Sequence, residues 1–320
     1  MWLGATSVHS RDFGATAKAA LTSLLSMYAP LHVVVNHFDP GGRPAAWSAH
    51  AHDRLTFTWV PDMKGLFWKR VLTGERLRGV RVVWLFDADV ATHPAVMPLG
   101  SLVSALLSSN ASALQPVIRS AGMGTDHTWL RQRPSLSTCV ASTARFVEVM
   151  TPLLQVDAWA AFHEAVLSRV PDQSLAVSDF GIDVTWCAYF RERFPQRPAC
   201  LVLYSAAALH FNSNSIKRFM NASTVAQERN CAGTCKFIRR NFRRYYMNYS
   251  HDTQDCWMAG NEGLVPLRRP RYIDSHGYWK AGRRDKSGHI VTATGHRWTP
   301  EGGASAKNKA VAHMNAMNLI

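Results

Sequence analysis

With 320 residues, 47% of them hydrophobic and 18% charged, the chain has the make-up of a folded globular protein with a sizeable core, in one large α/β domain or two modest ones. No run of about eighteen apolar residues occurs, so no helical membrane span is expected in it, and the start MWLGATSVHSRDFG lacks the basic-then-apolar layout of a secretory signal. The formal charge of +14 is uneven: residues 1–216 carry 18 Lys and Arg against 15 Asp and Glu (net +3), and residues 217–320 carry 18 against 7 (net +11), a basic third that is either a solvated face or the footprint of an anionic partner.

In chain order, residues 16–29 have the Ala- and Leu-rich composition of a helix stopped by Pro30, and LHVVVNHFDP at 31–40 reads as a β-branched strand running into a turn. TFTWV at 56–60 is a second strand, and MKGLFWKRVL at 63–72 has an amphipathic helical pattern. RVVWLFDADV at 81–90 is an unbroken apolar run ending in acids, the mark of a strand buried on both faces. A helix over 98–109, a strand over 112–118 and a long polar loop over 119–138 follow. RFVEVMTPLL at 145–154 is strand-like, residues 157–170 and 179–194 read as helices, and 199–211 holds one more apolar strand. This alternation predicts a doubly wound, mostly parallel sheet with helices on both faces and ligands at its strand ends. After residue 216 the alternation fades: KFIRRNFRRYY at 236–246 is basic and aromatic, and 259–320 reads as a poorly ordered tail, so 217–320 is expected to be a basic, irregular, Cys-containing extension of a domain spanning 1–216.

Cys139, Cys187, Cys200, Cys231, Cys235 and Cys256 permit disulfides and fit no usual zinc spacing, since His251 does not complete a knuckle. Sequons start at Asn110, Asn221 and Asn248, a weak pointer to a lumenal site such as the Golgi or another endomembrane compartment, where an anchor would have to precede this chain.

The most informative residues are Asp87 and Asp89, at the end of the most apolar strand. Carboxylates two apart share a side while the chain is extended, and together they suit a hard cation, Mn²⁺ or Mg²⁺, that also takes phosphate oxygens. The plainer reading is a strand-end turn with solvated acids.

The succession HFDP, MKGLFWKR, VVWLFDADV, LQPVI, FVEVMTPLL, SDFGIDVTWC and LHFNSNS resembles a family found largely in plants and algae, domain-of-unknown-function family seven-hundred-seven, over residues 32–216. The family pattern has Trp-Gly-Leu-Asp where this chain has Phe180 and Ile182 in Phe-Gly-Ile-Asp. The resemblance implies a GT-A-like fold, one that binds a nucleotide-diphospho-sugar at its strand ends.

On that basis Asp87 and Asp89 bind the metal, and His210, matching the family's late His, is either a third ligand or a satisfied strand-end histidine. Asp183 is expected to take the acceptor hydroxyl's proton, with Asp179 a helix cap. Glu148 would orient a hydroxyl or pair with an Arg. Lys64 or Lys69 would reach the diphosphate, with Arg70 beside them, Gln115 would touch the sugar or acceptor, and Asp39 the nucleoside. The resulting reading is a metal-dependent glycosyltransferase with a nucleotide-sugar donor and a glycan or other hydroxyl acceptor, and no nucleic-acid partner. Two other readings stand beside it: a carbohydrate- or nucleotide-binding protein of the same fold without turnover, and a polyanion binder acting through the basic C-terminal segment. No Walker loop, Gly-x-Ser-x-Gly elbow or His-Glu-x-x-His motif points to another enzyme class.

Overall fold

Period-two alternation in the apolar strands assigns their side chains to two faces. In β4 (Val82–Asp87), Val83 and Leu85 point into one core, and Val82, Trp84 and Phe86 into another. In β2 (Leu31–His37), Val34 joins the first core, and Leu31, Val33 and Val35 the second. A sheet apolar on both sides needs cover on both sides. Helices α1 (Ala15–Met27) and α3 (Leu99–Ser109) supply Leu24, Leu25, Leu102 and Leu106 to one face. Helices α2 (Lys64–Val71), α4 (Val156–Ala165) and α6 (Asp183–Arg193) supply Phe67, Trp159, Phe162, Trp186 and Phe190 to the other. This is an α/β chain with helices on both faces of a mixed, mostly parallel sheet.

The computed structural model describes residues 1–8, 15–38, 52–61, 63–94, 96–120, 139–211, 233–246, 255–260, 263–266, 283–284 and 290–291. The remaining strands of the main sheet are β1 (Trp2–Val8), β3 (Leu55–Trp59), β5 (Ala113–Ser120), β6 (Ala141–Thr143), β7 (Leu153–Gln155), β8 (Cys200–His210), β9 (Cys256–Gly260) and β10 (Gly263–Pro266). Their order is β10-β9-β6-β8-β5-β7-β4-β1-β2-β3. The long pairings, of β1 with β2 and β4, β2 with β3, and β5 with β8, are parallel. The antiparallel ones are short: β7 wedges between β4 and β5, and β6, β9 and β10 close one edge. Pro116 sits inside β5, where it cannot donate to a ladder, and the register with β8 jumps there from Pro116↔Leu203 to Val117↔Ala207. Beyond this bulge β8 runs on to His210.

Several sequence expectations shift. β1 lies at the centre of the parallel set and was not legible as a strand, and α5 (Asp172–Val177) is an extra short helix. Residues 145–150 are not a strand: only Leu153–Gln155 pair, and the preceding segment is a loop bonded to the end of β4 through Leu85 N to Pro152 O and Asp87 N to Met150 O. The helix expected from 179 starts at Asp183, after a turn. Beyond residue 216, β9 and β10 extend the main sheet, and α7 (Thr234–Asn241) buries Cys235 and Ile238. Asp39, most of the 119–138 loop, Cys231, and the sequons at Asn221 and Asn248 lie outside the described residues. Asn110 is exposed at the left-handed end of α3. Among the described residues, no helix is long and apolar enough to cross a membrane.

Disulfides tie the sheet's edge and back: Cys139–Cys256 joins the entry of β6 to β9, Cys187–Cys200 joins α6 to β8, and Cys235 is also disulfide-bonded. Cys187 and Cys200 are 13 residues apart. Closing a loop of that size removes chain entropy worth about 3 kcal/mol from the unfolded state. The double variant Cys187→Ala/Cys200→Ala is therefore expected to lose about that much stability in urea titration. An unchanged midpoint would mean that the bridge constrains nothing.

Candidate active site

The face that carries Val83 and Leu85 continues to Asp87, whose carboxylate thus emerges on the side covered by α2. Lys64, the first residue of α2, donates to Asp87 Oδ1 at 2.5 Å and lies 3.7 Å from Asp179 Oδ2. Gly65 suits this close approach: a Cβ there would sit 3.0 Å from Leu175 Cδ2 and 3.1 Å from Asp179 Cβ, tight enough that these neighbours would have to shift by a few tenths of an ångström. The Lys64 and Asp87 side chains are only 10% and 18% exposed, so the pair is largely shielded from water. Burial opposes the charge on Lys64, but Asp87, Asp179 and Asp89 outweigh it and hold the ammonium above its ordinary range. For Asp87, burial together with Asp89 and Asp179 outweighs Lys64, and its carboxyl is pushed up to about 6.

After Asp87 the chain turns, and an isolated antiparallel bridge locks Val90 to His210. Ala91 N donates to Leu209 O at 2.8 Å, and Phe211 N to Asp89 O at 2.8 Å. This backbone clamp sets His210 Nε2 3.1 Å from Asp89 Oδ1. Burial lowers the affinity of the imidazole for a proton, but Asp89 beside it, with Asp87 behind, raises it overall. One ligand atom from each of Asp87, Asp89 and His210 lies within 4.8 Å of the others. Two carboxylates and an imidazole meet around one point at the carboxyl end of the parallel strands, where ligands of open α/β sheets bind.

Asp179 acts electrostatically on both Asp87 and Lys64, and on its other side lie two more buried acids, Asp183 and Glu148. Asp183 opens α6, is buried, and its Oδ1 accepts from Val184 N at 2.9 Å. Burial, Glu148 and Asp179 together push its carboxyl well above the usual carboxylate range, against the backbone N–H groups of Val184 and Gly181. Glu148, also buried, is carried by the loop beside β4. Its backbone is gripped by Gln115, whose Oε1 accepts from Glu148 N at 2.8 Å and whose Nε2 donates to Glu148 O at 3.1 Å. Asp179 Oδ2 is buried without a hydrogen bond, with Lys64 the nearest cation.

The structure thus draws Asp87, Asp89, His210, Glu148, Asp183 and Lys64 into one locality, and Asp179, expected to be a helix cap, sits with them instead: α6 carries no side-chain cap, and the Asp179 carboxylate lies beside Lys64. Lys64 is paired with acids. Gln115 is fully buried and spent on a backbone. Lys69 is elsewhere: its Nζ donates to Val170 O at 2.8 Å and Asp172 Oδ1 at 2.7 Å, and Arg70 shares Asp172. Sequence reasoning passed over Asn36, which is fully buried at the end of β2. Its amide donates to Ser7 Oγ and Val60 O and accepts from Val60 N and Thr58 Oγ1, stitching together the ends of β1, β2 and β3. A polar residue closing the apolar run LHVVV was the available signal.

No family model matches the chain, and no curated protein is similar to it. Among solved structures, S. aureus TarS 1–349 is 10% identical with a TM-score of 0.41, over 65% of this chain and 60% of that one. The mannosyltransferase PcManGT from Pyrobaculum calidifontis, in complex with GDP-Man and Mn²⁺, is 16% identical with a TM-score of 0.42, over 67% and 57%. Glucosyl-3-phosphoglycerate synthase from Mycobacterium tuberculosis, in complex with Mn²⁺, UDP-Glc and phosphoglyceric acid, is 13% identical with a TM-score of 0.40, over 74% and 80%. The chain spans about three fifths of the length of the first two.

Proposed function

We propose that this chain is a metal-dependent glycosyltransferase of GT-A type, related to the family it resembles, that moves a sugar from a nucleotide-diphosphate sugar to an acceptor hydroxyl. The observation that carries the reading is the convergence of Asp87, Asp89 and His210 within ligand distance of one another at the carboxyl end of the sheet, with further acids alongside. The donor set fits a divalent ion, and its imidazole favours Mn²⁺ over Mg²⁺, which prefers oxygens alone. Such an ion, when bound, neutralises the charge of a diphosphate leaving group.

The chain's own residues do the rest. Lys64 holds Asp87 in place and offsets the repulsion among Asp87, Asp89 and Asp179 while no ion is present. Asp183 accepts the acceptor hydroxyl's proton. A carboxyl raised above its ordinary value by burial and by Glu148 and Asp179 is the stronger base, which suits it to take a proton. Glu148, whose backbone is clamped by Gln115, adds to burial in raising Asp183, and in this reading it orients the acceptor. The disulfides suit an oxidising compartment, which supports a lumenal location such as the Golgi.

The test is a thermal-shift screen of UDP- and GDP-sugars with and without Mn²⁺. A ligand at about a hundredfold excess over its Kd adds about 2.7 kcal/mol to stability. A rise is expected for one nucleotide class and only when Mn²⁺ is present. No rise with any nucleotide sugar, or a rise indifferent to the ion, would overturn the reading.

A further inference from the structure

The basic, aromatic segment after residue 233 is not used by the reaction above, yet the structure builds a cavity from it. Helix α7 rests on the turn before α6: Gly181 has φ +104°, and a Cβ there would lie 2.9 Å from Cys235 Cα. Next to this contact, α7 and its following turn, the last turn of α6 and the helical turn Leu167–Arg169 line a half-open cleft of about 510 Å³. That is a volume typical of small-molecule sites.

Three guanidinium groups from three separate elements reach this space: Arg169, Arg193 and Arg244. Its one carboxylate, Glu192, is already engaged, accepting from Tyr245 at 3.1 Å and lying 3.3 Å from Arg244 Nη2. Among the described lining residues, three arginines thus stand against one acid, which is paired with Arg244, and Arg169 and Arg193 leave an excess of positive charge. Its walls include the rings of Phe242 and of Tyr189 and Tyr245, the latter two packed edge to face at 5.3 Å, and Asn241 adds an amide. Forked guanidinium donors match the oxygens of phosphate and sulfate groups, and an aromatic wall offers an apolar face to whatever carries them.

We propose that this cavity is a binding site for a saccharide bearing a phosphate or sulfate ester, with the oxyanion held by Arg193, Arg244 and Arg169 and the ring against the aromatic wall. The oxyanion site stands on its own lining, while the choice of a saccharide as carrier rests on the transferase reading. Asp183 and Arg193 are the two ends of α6, so the cavity lies ~15 Å from the acids along that helix. A concave pocket of this size favours a discrete ligand over the flat contact that a membrane surface or a nucleic-acid backbone would make.

The test uses the full chain and isothermal titration with glucose 6-phosphate, glucose 6-sulfate, glucose and inorganic phosphate, in Arg193→Gln and Arg244→Gln and in the control Arg240→Gln, an exposed arginine of α7 outside the cavity lining. Both sugar esters are expected to bind better than glucose and better than inorganic phosphate. Each cavity substitution is expected to weaken the esters by roughly tenfold or more, the worth of a charge-assisted hydrogen bond, with unchanged melting temperature and with Arg240→Gln like wild type. Asp89→Asn is expected to leave this binding unchanged, so a failed transferase reading and a failed cavity reading give different patterns. Inorganic phosphate binding as well as the esters would overturn the saccharide. Equal losses in all three arginine variants, or preference for anionic phosphatidylserine vesicles, would overturn the cavity in favour of a diffuse basic surface.

Discussion

Asp89→Asn is expected to lower nucleotide-sugar turnover roughly a thousandfold while leaving the fold intact. Lewis-acid stabilisation of a leaving diphosphate amounts to several kcal/mol, and each 1.36 kcal/mol is about a factor of ten in rate. Asp89 is a cleaner target than Asp87. Replacing Asp87 would also strip Lys64 of its closest counter-ion in a largely buried site, so lost metal binding and lost stability would arrive together. Asparagine at 89 keeps an oxygen to accept from His210 Nε2, and the bridge between Val90 and His210 is made by backbone, so the local geometry has other supports. The measurements are Mn²⁺ affinity by paramagnetic resonance, turnover of the nucleotide sugar identified by thermal shift, and the melting temperature. Turnover and Mn²⁺ affinity equal to wild type would remove the metal from the proposal.

The parts of this site legible in the sequence are those whose signal is local. Asp87 stood out because five apolar residues precede it without a break, and the alternation of β4 then decides which face its carboxylate takes. What joins it was not legible, because the joining depends on packing between distant elements. Lys64 and Lys69 look equivalent on an amphipathic pattern, but five residues on a helix are a rotation of about 140° beyond one turn. One therefore faces Asp87 and the other Asp172. Val147 and Val149 made 145–150 look like a strand, yet Val147 is buried from a loop, and the neighbouring Glu148 is held by Gln115 from β5. β1 was passed over because Gly4, Thr6 and Ser7 interrupt its apolar character. In the sheet Gly4 leaves room for Trp84 and Phe86, which a Cβ would meet at 3.3 Å. The mostly parallel α/β architecture was readable because strand and helix periods alternate over most of 16–211. The antiparallel edge was not, because β6, β9 and β10 are three to five residues long and their partners lie far away in the chain.

Asp183→Asn is expected to make the protein more stable and far less active. Burial, Glu148 and Asp179 raise the carboxyl of Asp183 in the folded chain above its value in the unfolded one. The folded state therefore binds the proton more tightly, and stability falls as pH rises from about 3.9, the unfolded value, through the folded one. Above that range the full cost of a buried charge among like charges is carried. Asparagine removes the charge but keeps the oxygen that accepts from Val184 N at the start of α6, so that local hydrogen bond survives. The variant should melt higher than wild type at neutral pH and lose part of the wild type's decline with pH. If Asp183 takes the proton from the acceptor, the rate of transfer should fall by about 10²–10⁴ in the same variant. A carboxylate that weakens the fold and serves the reaction is the usual trade at an active site, whereas a carboxylate with a structural role alone would leave the rate of transfer near wild type when the charge is removed. Unchanged transfer in a stabilised Asp183→Asn would move the proton acceptor to Glu148, which stands across from it in the same buried cluster.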